Sequence, residues 1–327
     1  MPRHLSPMKA RTGTLPTDEE RWGFEVKWDG VRAMAYVDDG RAAFESRNLL
    51  DLTPRYPELA GLAAALAGRR AVLDGEIVAF DDKGRPSFQQ LQSRLNVGSP
   101  VAIRELAQRV PVCYVVFDVV WLDGDDLTKL TYEERRRRLE ELALNGPAWQ
   151  TPAYHPGDGE ALLEATRERG LEGVMAKRLD STYTPGRRSA AWVKVKNVRG
   201  QELVVGGWCP GEGRRENRIG SLMLGHYDGD RLRYAGNVGT GFTEKELDRL
   251  ATVLEPLRRS TSPFDPPPGI RKRCVFVEPE VVVEVAFNEW TRDGTLRQPS
   301  YKGQRIDKNP REVVREAAPG ERPEMER

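Results

Sequence analysis

Lys27 is the residue in this 327-residue chain with the strongest claim to covalent chemistry. It sits in Phe24-Glu25-Val26-Lys27-Trp28-Asp29, which runs into Gly30 and then Arg32. Alternation along an extended strand points Glu25, Lys27 and Asp29 to one face. A lysine amine attacks only when unprotonated, and free lysine titrates at about 10.4. Desolvation or neighbouring cations lower that value. Such cations lie far downstream, in Trp192-Val193-Lys194-Val195-Lys196. Lys194 and Lys196 stand at i and i+2, so one strand face carries both, with Val193 and Val195 behind. Two ammonium groups there repel a proton from Lys27 and neutralise a transferring phosphoryl group.

Other stretches add acids, an aromatic and further cations. Asp74-Gly75-Glu76-Ile77-Val78 and Leu171-Glu172-Gly173-Val174-Met175-Ala176-Lys177 each set a carboxylate beside a glycine. Magnesium takes oxygen ligands, often one or two carboxylates with phosphate and water, so Glu76 and Glu172 are the best metal carboxylates. Val115-Val116-Phe117-Asp118 places an aromatic in a valine-rich strand, ordinarily a core position. Arg32, and Arg47 in Glu45-Ser46-Arg47-Asn48, can offer bidentate forks to phosphate. There is no Gly-x-x-x-x-Gly-Lys-Ser/Thr loop, and the glycines near Gly211 and Gly239 fail the dinucleotide spacing.

In this order the stretches resemble the motifs of covalent nucleotidyltransferases: ATP-dependent DNA ligases, RNA ligases and mRNA capping enzymes. Glu45 to Asn48 and Arg297-Gln298-Pro299-Ser300-Tyr301-Lys302-Gly303-Gln304-Arg305-Ile306-Asp307-Lys308 look like ATP-dependent DNA ligases. Over residues 20 to 312 the likeness is to the ligase module of bacterial ligase D, an end-joining enzyme. The resemblance implies an α+β fold: a nucleotidyltransferase domain of ATP-grasp-like antiparallel sheets with helices at 1–198, then an all-β OB-fold barrel with a polar tail at 199–327. It implies that Lys27 takes AMP from ATP, releasing pyrophosphate. AMP then passes to a DNA 5′-phosphate, and a 3′-hydroxyl displaces it.

The same resemblance assigns the remaining roles. Glu25 reads the adenine amino group, and Phe117 and Met175 stack on the two faces of the base. Glu172 holds a catalytic Mg2+ (or Mn2+), and Glu76 the ribose or a metal. Arg32 and Arg47 bind the phosphate of AMP or of DNA, and Lys194 and Lys196 the triphosphate. Arg297, Arg305, Asp307 and Lys308 form a closing motif that swings onto the departing pyrophosphate about a hinge at Asn197 to Gly200. The implied partners are nicked or broken double-stranded DNA, an end-binding Ku-like protein and a separate repair polymerase, with the chain itself a monomer. The fused polymerase and phosphoesterase of that family lie outside these residues and would act in trans. An RNA ligase, a capping guanylyltransferase and a catalytically silent nick-binding module stay open as alternatives, separable by ATP against GTP labelling and by adduct formation.

Composition narrows the class without naming a substrate. Lys plus Arg total 51 against 50 Asp plus Glu, so net charge carries no nucleic-acid signal and DNA binding requires charge gathered on one face. Hydrophobic content of 39% and charged content of 31% read as globular. Cys113, Cys209 and Cys274 form no CxxC pair, which argues against a zinc ribbon and against a nicotinamide-dependent ligase. Cys113 and Cys274 read as small buried hydrophobes. His4, His155 and His226 form no metal triad. No apolar run approaches the about 20 residues that span a bilayer, and the N-terminus lacks a signal-peptide core, so no membrane and a reducing bacterial cytoplasm are expected.

The elements that must position these residues are legible in outline. A hairpin turns at Asp38-Asp39-Gly40 within residues 24–48. Pro57 to Leu66 reads as a helix with Leu59, Leu62 and Leu66 on one face. Ala71 to Phe80 and Val112 to Leu122 read as buried strands. Thr131 to Leu144 reads as a helix with a Thr131/Glu134 capping box and a solvated Arg135 to Arg138 face. Leu171 to Lys177 and Ala191 to Val198 close the first domain. Beyond them Leu203 to Trp208, Ser221 to Tyr227, Leu232 to Val238 and Cys274 to Phe287 suggest a small barrel. One helix, Thr243 to Leu254, interrupts it with a Thr243/Glu246 box. The tail after Arg315 is polar and expected to be loose.

Overall fold

The computed structural model describes every residue except 96, 198–199, 212–215, 217, 270–273, 292 and 317–327. The chain divides into two units, one of Met1–Asn197 and one within Val198–Ala318. The hinge expected at Asn197 to Gly200 and the polar tail fall largely outside the described residues.

The first unit contains eleven strands: β1 (Lys9–Thr12), β2 (Trp22–Val26), β3 (Val31–Asp38), β4 (Arg41–Ser46), β5 (Ala71–Ala79), β6 (Val112–Leu122), β7 (Asp125–Asp126), β8 (Trp149–Gln150), β9 (His155–Pro156), β10 (Gly173–Arg178) and β11 (Arg188–Lys196). They form a five-stranded sheet, β1-β11-β10-β2-β9, and a six-stranded one, β4-β3-β5-β6-β7 with β8 beside β6. The near-continuous apolar runs of β5 and β6 occupy the middle of the second sheet, where both faces are covered. Asp39 (φ 47°) and Gly40 (φ 70°) turn β3 into β4 with the left-handed pair that a two-residue hairpin needs.

The sheets are largely antiparallel, as expected, with two parallel pairs: β1 beside β11, and β8 beside β6. Neither pair is joined by a hairpin, so nothing in the connection imposes an antiparallel direction. Pro57 to Leu66 is a 3₁₀ turn, Pro57–Gly61, followed by a single α turn, α1 (Leu62–Ala65). Leu59, Leu62 and Leu66 are nevertheless all buried. Two further helices, α2 (Phe88–Leu95) and α3 (Pro100–Arg109), lie between β5 and β6.

Helix α4 (Tyr132–Glu140) has the expected capping box. Its arginine run departs from a solvated face. Arg137 and Arg138 are exposed and pair with Glu141, but Arg135 and Arg136 are fully buried. Arg135 forks onto Asp118 of β6 at 2.8 and 2.9 Å and also donates to the Leu130 and Ser181 carbonyls. At 3.6 residues per turn, four consecutive residues cannot share one face, so half of the run turns inward. We expect Asp118→Ala to lower the unfolding free energy by about 3–5 kcal/mol, because it leaves a buried guanidinium without its counter-charge. Denaturant melts check this, and a loss below about 1 kcal/mol would show that the two carbonyls suffice for Arg135. A last helix of this unit, α5 (Gly159–Glu168), precedes β10.

The second unit is built from β12 (Gly200–Pro210), β13 (Ile219–Asp228), β14 (Arg231–Val238), β15 (Arg258–Arg259), β16 (Val275–Ala286), β17 (Glu289–Trp290), β18 (Leu296–Arg297) and β19 (Ser300–Gln304), with α6 (Glu244–Leu254). Its main sheet runs β14-β13-β12-β16-β15, with β19 added to β16. Bulges in the β12, β13 and β16 pairings supply the coiling that a small barrel requires. One core packs α6 through Leu247, Leu250 and Leu254 against residues such as Val205 and Val283.

The α6 cap is half a box. Thr243 accepts from the Glu246 amide, while the Glu246 carboxylate turns to Arg249 and the Tyr301 hydroxyl. Cys274 is not a free buried thiol: it forms a disulfide with Cys209. Trp208 pairs with Val275 across antiparallel β12 and β16, which brings the two cysteines opposite one another. A separation of 65 residues hid that register from the sequence. Cys113 is a free thiol, pushed by burial up to about 11. Among the described residues, no helix is long and apolar enough to cross a membrane.

Candidate active site

Lys27 lies one residue past the end of β2, and not on its face. The last rung of the β2–β10 ladder is Val26 opposite Val174, and the Lys27 amide then donates to the Gly173 carbonyl at 2.9 Å. The shared face expected for Glu25, Lys27 and Asp29 is therefore broken. Glu25 is buried within the sheet, and Asp29 accepts from the Phe88 amide at 3.4 Å. Two glycines make this approach possible. A Cβ on Gly30 would lie 2.2 Å from the Ile77 carbonyl oxygen and 3.0 Å from Glu76 Cγ. A Cβ on Gly173, at φ 143°, would lie 2.0 Å from the Val195 oxygen. Only backbone without a side chain lets the lysine loop settle on β5 and the Glu172 turn on β11.

The Lys27 amine donates to the Glu172 carboxylate, whose other oxygen lies 3.8 Å from Lys196 Nζ. Burial alone would raise the Glu172 carboxyl, but Lys27, Lys196 and Lys194 together hold it below the usual carboxylate range. Lys194 stands opposite Met175 and Lys196 opposite Gly173 on the β10–β11 ladder. The structure thus gathers Lys27, Glu172, Lys194 and Lys196 from three distant stretches, with Glu76 against the Lys27–Gly30 loop.

Glu25 anchors a second cluster. It is 3% exposed, lies 2.7 Å from Lys177 Nζ and 3.8 Å from Arg136, and accepts from the Tyr132 hydroxyl. Lys177 is a diagonal neighbour of Glu25 across β2 and β10. Its Nζ sits 4.3 Å from the Phe117 ring centroid and 4.4 Å from that of Trp192. Burial pushes this ammonium down, against the opposing pull of Glu25 and Asp118. Phe117 is 7% exposed within a core cluster that includes Met34, Tyr36 and Trp192, and Met175 packs on that cluster. The Arg32 guanidinium lies 4.7 Å from the same ring and forks onto Asp74 at 2.6 Å through both Nε and Nη2. Asp74 also accepts from Tyr183 at 2.6 Å. Arg47 is half-buried on the turn after β4.

Asp74, Lys177, Tyr132, Tyr183 and Arg136 were not anticipated as neighbours of these groups. Asp74 and Lys177 stood inside the quoted motifs, two residues from Glu76 and from Met175. The tyrosines carried no local signal, because their partners are 107 and 109 residues away.

The closing-motif residues lie in the second unit and are paired there. Arg305 is buried, forks onto Asp307 at 2.9 Å and reaches Glu284 at 2.9 Å. Burial works against both charges of that fork, but Asp307 with Glu284 keeps the guanidinium charged, and Arg305 with Lys308 holds the Asp307 carboxyl below the usual range. Lys308 meets Glu202 at 2.9 Å. Arg297 is exposed on β18 against Glu289 at 2.7 Å. Arg305 and Asp307 are therefore built into the fold of this unit, and Arg297 and Lys308 each have a separate acidic partner.

Comparison with characterised families places this arrangement. Residues 7–196 match the model of the ATP dependent DNA ligase domain, and residues 215–308 that of the ATP dependent DNA ligase C terminal region. The multifunctional non-homologous end joining protein LigD of Mycolicibacterium smegmatis is 45% identical over 316 residues, covering 96% of this chain and 40% of that protein. LigD of Pseudomonas aeruginosa is 39% identical over 331 residues, covering 99% and 37%. The chain thus spans about two fifths of the length of these relatives. A structure of mycobacterial DNA ligase D complexed with ATP and MES superposes with a TM-score of 0.68 at 43% identity, covering 95% of this chain and 98% of that one. The ligase domain of M. tuberculosis LigD gives 0.53 at 44% identity. With a catalytic-domain match over residues 7–196 and relatives above 40% identity across nearly its whole length, the chain belongs to the ATP-dependent DNA ligases.

Proposed function

We propose that this ligase seals 5′-phosphate/3′-hydroxyl breaks in duplex DNA through AMP carried on Lys27, in the service of double-strand break end joining. The observation that carries the reading is the Lys27 amine on Glu172, with Lys196 and Lys194 beside it. Lys27 attacks the α-phosphorus of ATP; an N–P bond forms as the P–O bond to pyrophosphate breaks. In the ammonium form that pairs with Glu172, Lys27 has no lone pair, so a proton must pass to solvent before the amine can attack. Glu172, held below the usual carboxylate range, is a weak acceptor for it. Its role is charge: it steadies the lysine before ATP arrives.

Lys194 and Lys196 bring positive charge to the polyphosphate. Phe117 and Met175 border the base, with Glu25 as the acceptor for its amino group. A carboxylate has about four acceptor positions, and Lys177 and Tyr132 take two of them, which leaves room for a further donor. Arg32 and Arg47 take phosphate, on AMP or on DNA.

Glu76 and Glu172 suit Mg2+. Among the described residues no cluster of three or more metal-ligating side chains exists, and magnesium is usually held by one or two carboxylates together with substrate phosphates. When bound, the ion supplies positive charge to the transferring phosphoryl group. We take the two units as a catalytic domain at 1–198 and an OB domain at 199–327. Arg297 and Lys308 act on pyrophosphate, which exists only in the first step, and Arg305 and Asp307, forked onto one another, hold the motif that carries them. The proposed setting is a cytoplasmic monomer that works with a Ku-like end-binding protein and a separate polymerase; the names of the LigD relatives give non-homologous end joining alone.

Incubation with labelled ATP or GTP and magnesium, followed by nicked DNA and nicked RNA duplexes, tests the whole reading. We expect adduct and sealing with ATP on DNA. Labelling by GTP alone would point to capping, and nick binding without any adduct to a silent binding module.

A further inference from the structure

The turn that follows β4 carries two exposed leucines on a strained backbone. Leu49 has φ 62°, a left-handed conformation that glycine adopts freely and a bulky aliphatic residue rarely does. Burial is only partial in return, since Leu49 is 43% exposed and Leu50 45%. They are the only adjacent pair of exposed large apolar residues among the described residues. The turn is firmly held. The Leu49 amide donates to the Ser46 carbonyl at 2.9 Å, the Leu50 amide to Ser46 Oγ at 3.1 Å, and the Ser46 amide to the Leu50 carbonyl at 2.9 Å. Just beyond, Leu52 is buried and its amide donates to the Phe44 carbonyl at 2.8 Å.

Its place in the sheet gives the turn meaning. Ser46 pairs with Ala33, and Ala33 with Gly75. The chain therefore leaves the sheet edge at the end where Arg32 stands opposite Glu76, and where β3 begins just after the Lys27 loop. Arg47 is on the same turn. A phosphate-binding fork and an apolar tip thus adjoin the end of the sheet that carries the nucleophile.

We propose that Leu49 and Leu50 form an apolar wedge that presses into the minor groove of nicked duplex at the break, while Arg47 holds the backbone phosphate. The proposal rests on the DNA-sealing reading above. Leucine is among the side chains that proteins insert between base steps from the minor groove, at the cost of local unstacking. At a nick one strand is already interrupted, so unstacking costs less there than in intact duplex, and the wedge favours the nick. A residue held in a strained turn and left nearly half exposed offers its free apolar face to a contact outside the fold.

The test is the full chain carrying Leu49→Gly and Leu50→Ser, with Leu50→Ser alone as a second variant. Binding to nicked and to intact duplex is read by fluorescence anisotropy, and AMP loading of the same samples by intact mass. We expect AMP loading and Tm to be kept, while the preference for nicked over intact duplex falls roughly 10- to 100-fold, the worth of two partly buried leucines. An unaltered preference in a normally loaded variant overturns the wedge and leaves the sealing reading standing. Unaltered nick binding together with loss of a dimer would place a second copy of the chain on the leucines, and also overturns it. If the unaltered chain neither loads AMP nor seals nicks, the reading fails and the wedge fails with it.

Discussion

We expect replacement of Lys27 with alanine to abolish AMP loading. After incubation with ATP and magnesium, intact mass shows no AMP-sized increase, and sealing of ordinary nicks falls to background. Its amine pairs with Glu172, whose other carboxylate oxygen lies 3.8 Å from Lys196 Nζ. Lys177 is the nearest rival in the motif set, but it is buried on Glu25 between aromatic rings. Lys194 and Lys196 are needed as charges. The fold tolerates the change, because the backbone contact to Gly173 is made by the amide and survives in alanine. Nicks that already carry AMP on the 5′-phosphate are sealed by the mutant with a much smaller loss, since the last step needs no lysyl-AMP. An AMP-sized increase persisting in Lys27→Ala would remove this residue as the nucleophile.

Glu172→Gln has the second largest expected effect and a different signature. It slows lysine loading and also slows sealing of pre-adenylated nicks, each by on the order of 10²–10³-fold, the usual scale for losing one preorganised charge in a phosphoryl-transfer site. The glutamine keeps the shape and the hydrogen-bonding reach of the side chain, so the domain stays folded. What it removes is the charge that Lys27, Lys196 and Lys194 surround. Without it, three cations are left facing one another, and a divalent ion loses one of its two candidate carboxylates. The pair of assays separates the roles: Lys27→Ala spares the last step, and Glu172→Gln does not. An unchanged ligation rate with an ordinary magnesium requirement would defeat the assignment.

Much of this site could be read from residue order alone. The lysine with its Asp-Gly, the Glu-Gly before β10 and the Lys-x-Lys of β11 are short patterns whose glycines have a packing reason: the loop at Gly30 and the turn at Gly173 admit no Cβ. Strand boundaries for β5 and β6 were legible because unbroken apolar runs have few other uses. Long-range pairing was not legible. Whether Arg135 faces water or Asp118, whether Cys274 is a thiol or half of a disulfide, and which acid Arg32 forks onto all depend on strands far apart in the chain.

The line between the two kinds of knowledge follows the range of the interaction. Local rules of backbone shape and side-chain period settle which residue types stand at which spacing, and that order carried the family resemblance: a lysine before Asp-Gly, acids beside glycines, paired lysines at i and i+2. Register between distant strands settles which charges meet. Lys27 met Glu172 because the β2–β10 ladder ends at Val26 opposite Val174. Glu25 turned away to Lys177 because the next position along the same ladder lies beneath aromatic rings. A buried charge must find its opposite or cost several kcal/mol, so each of these pairings is enforced by the fold, and none could be chosen until the sheets had closed around it.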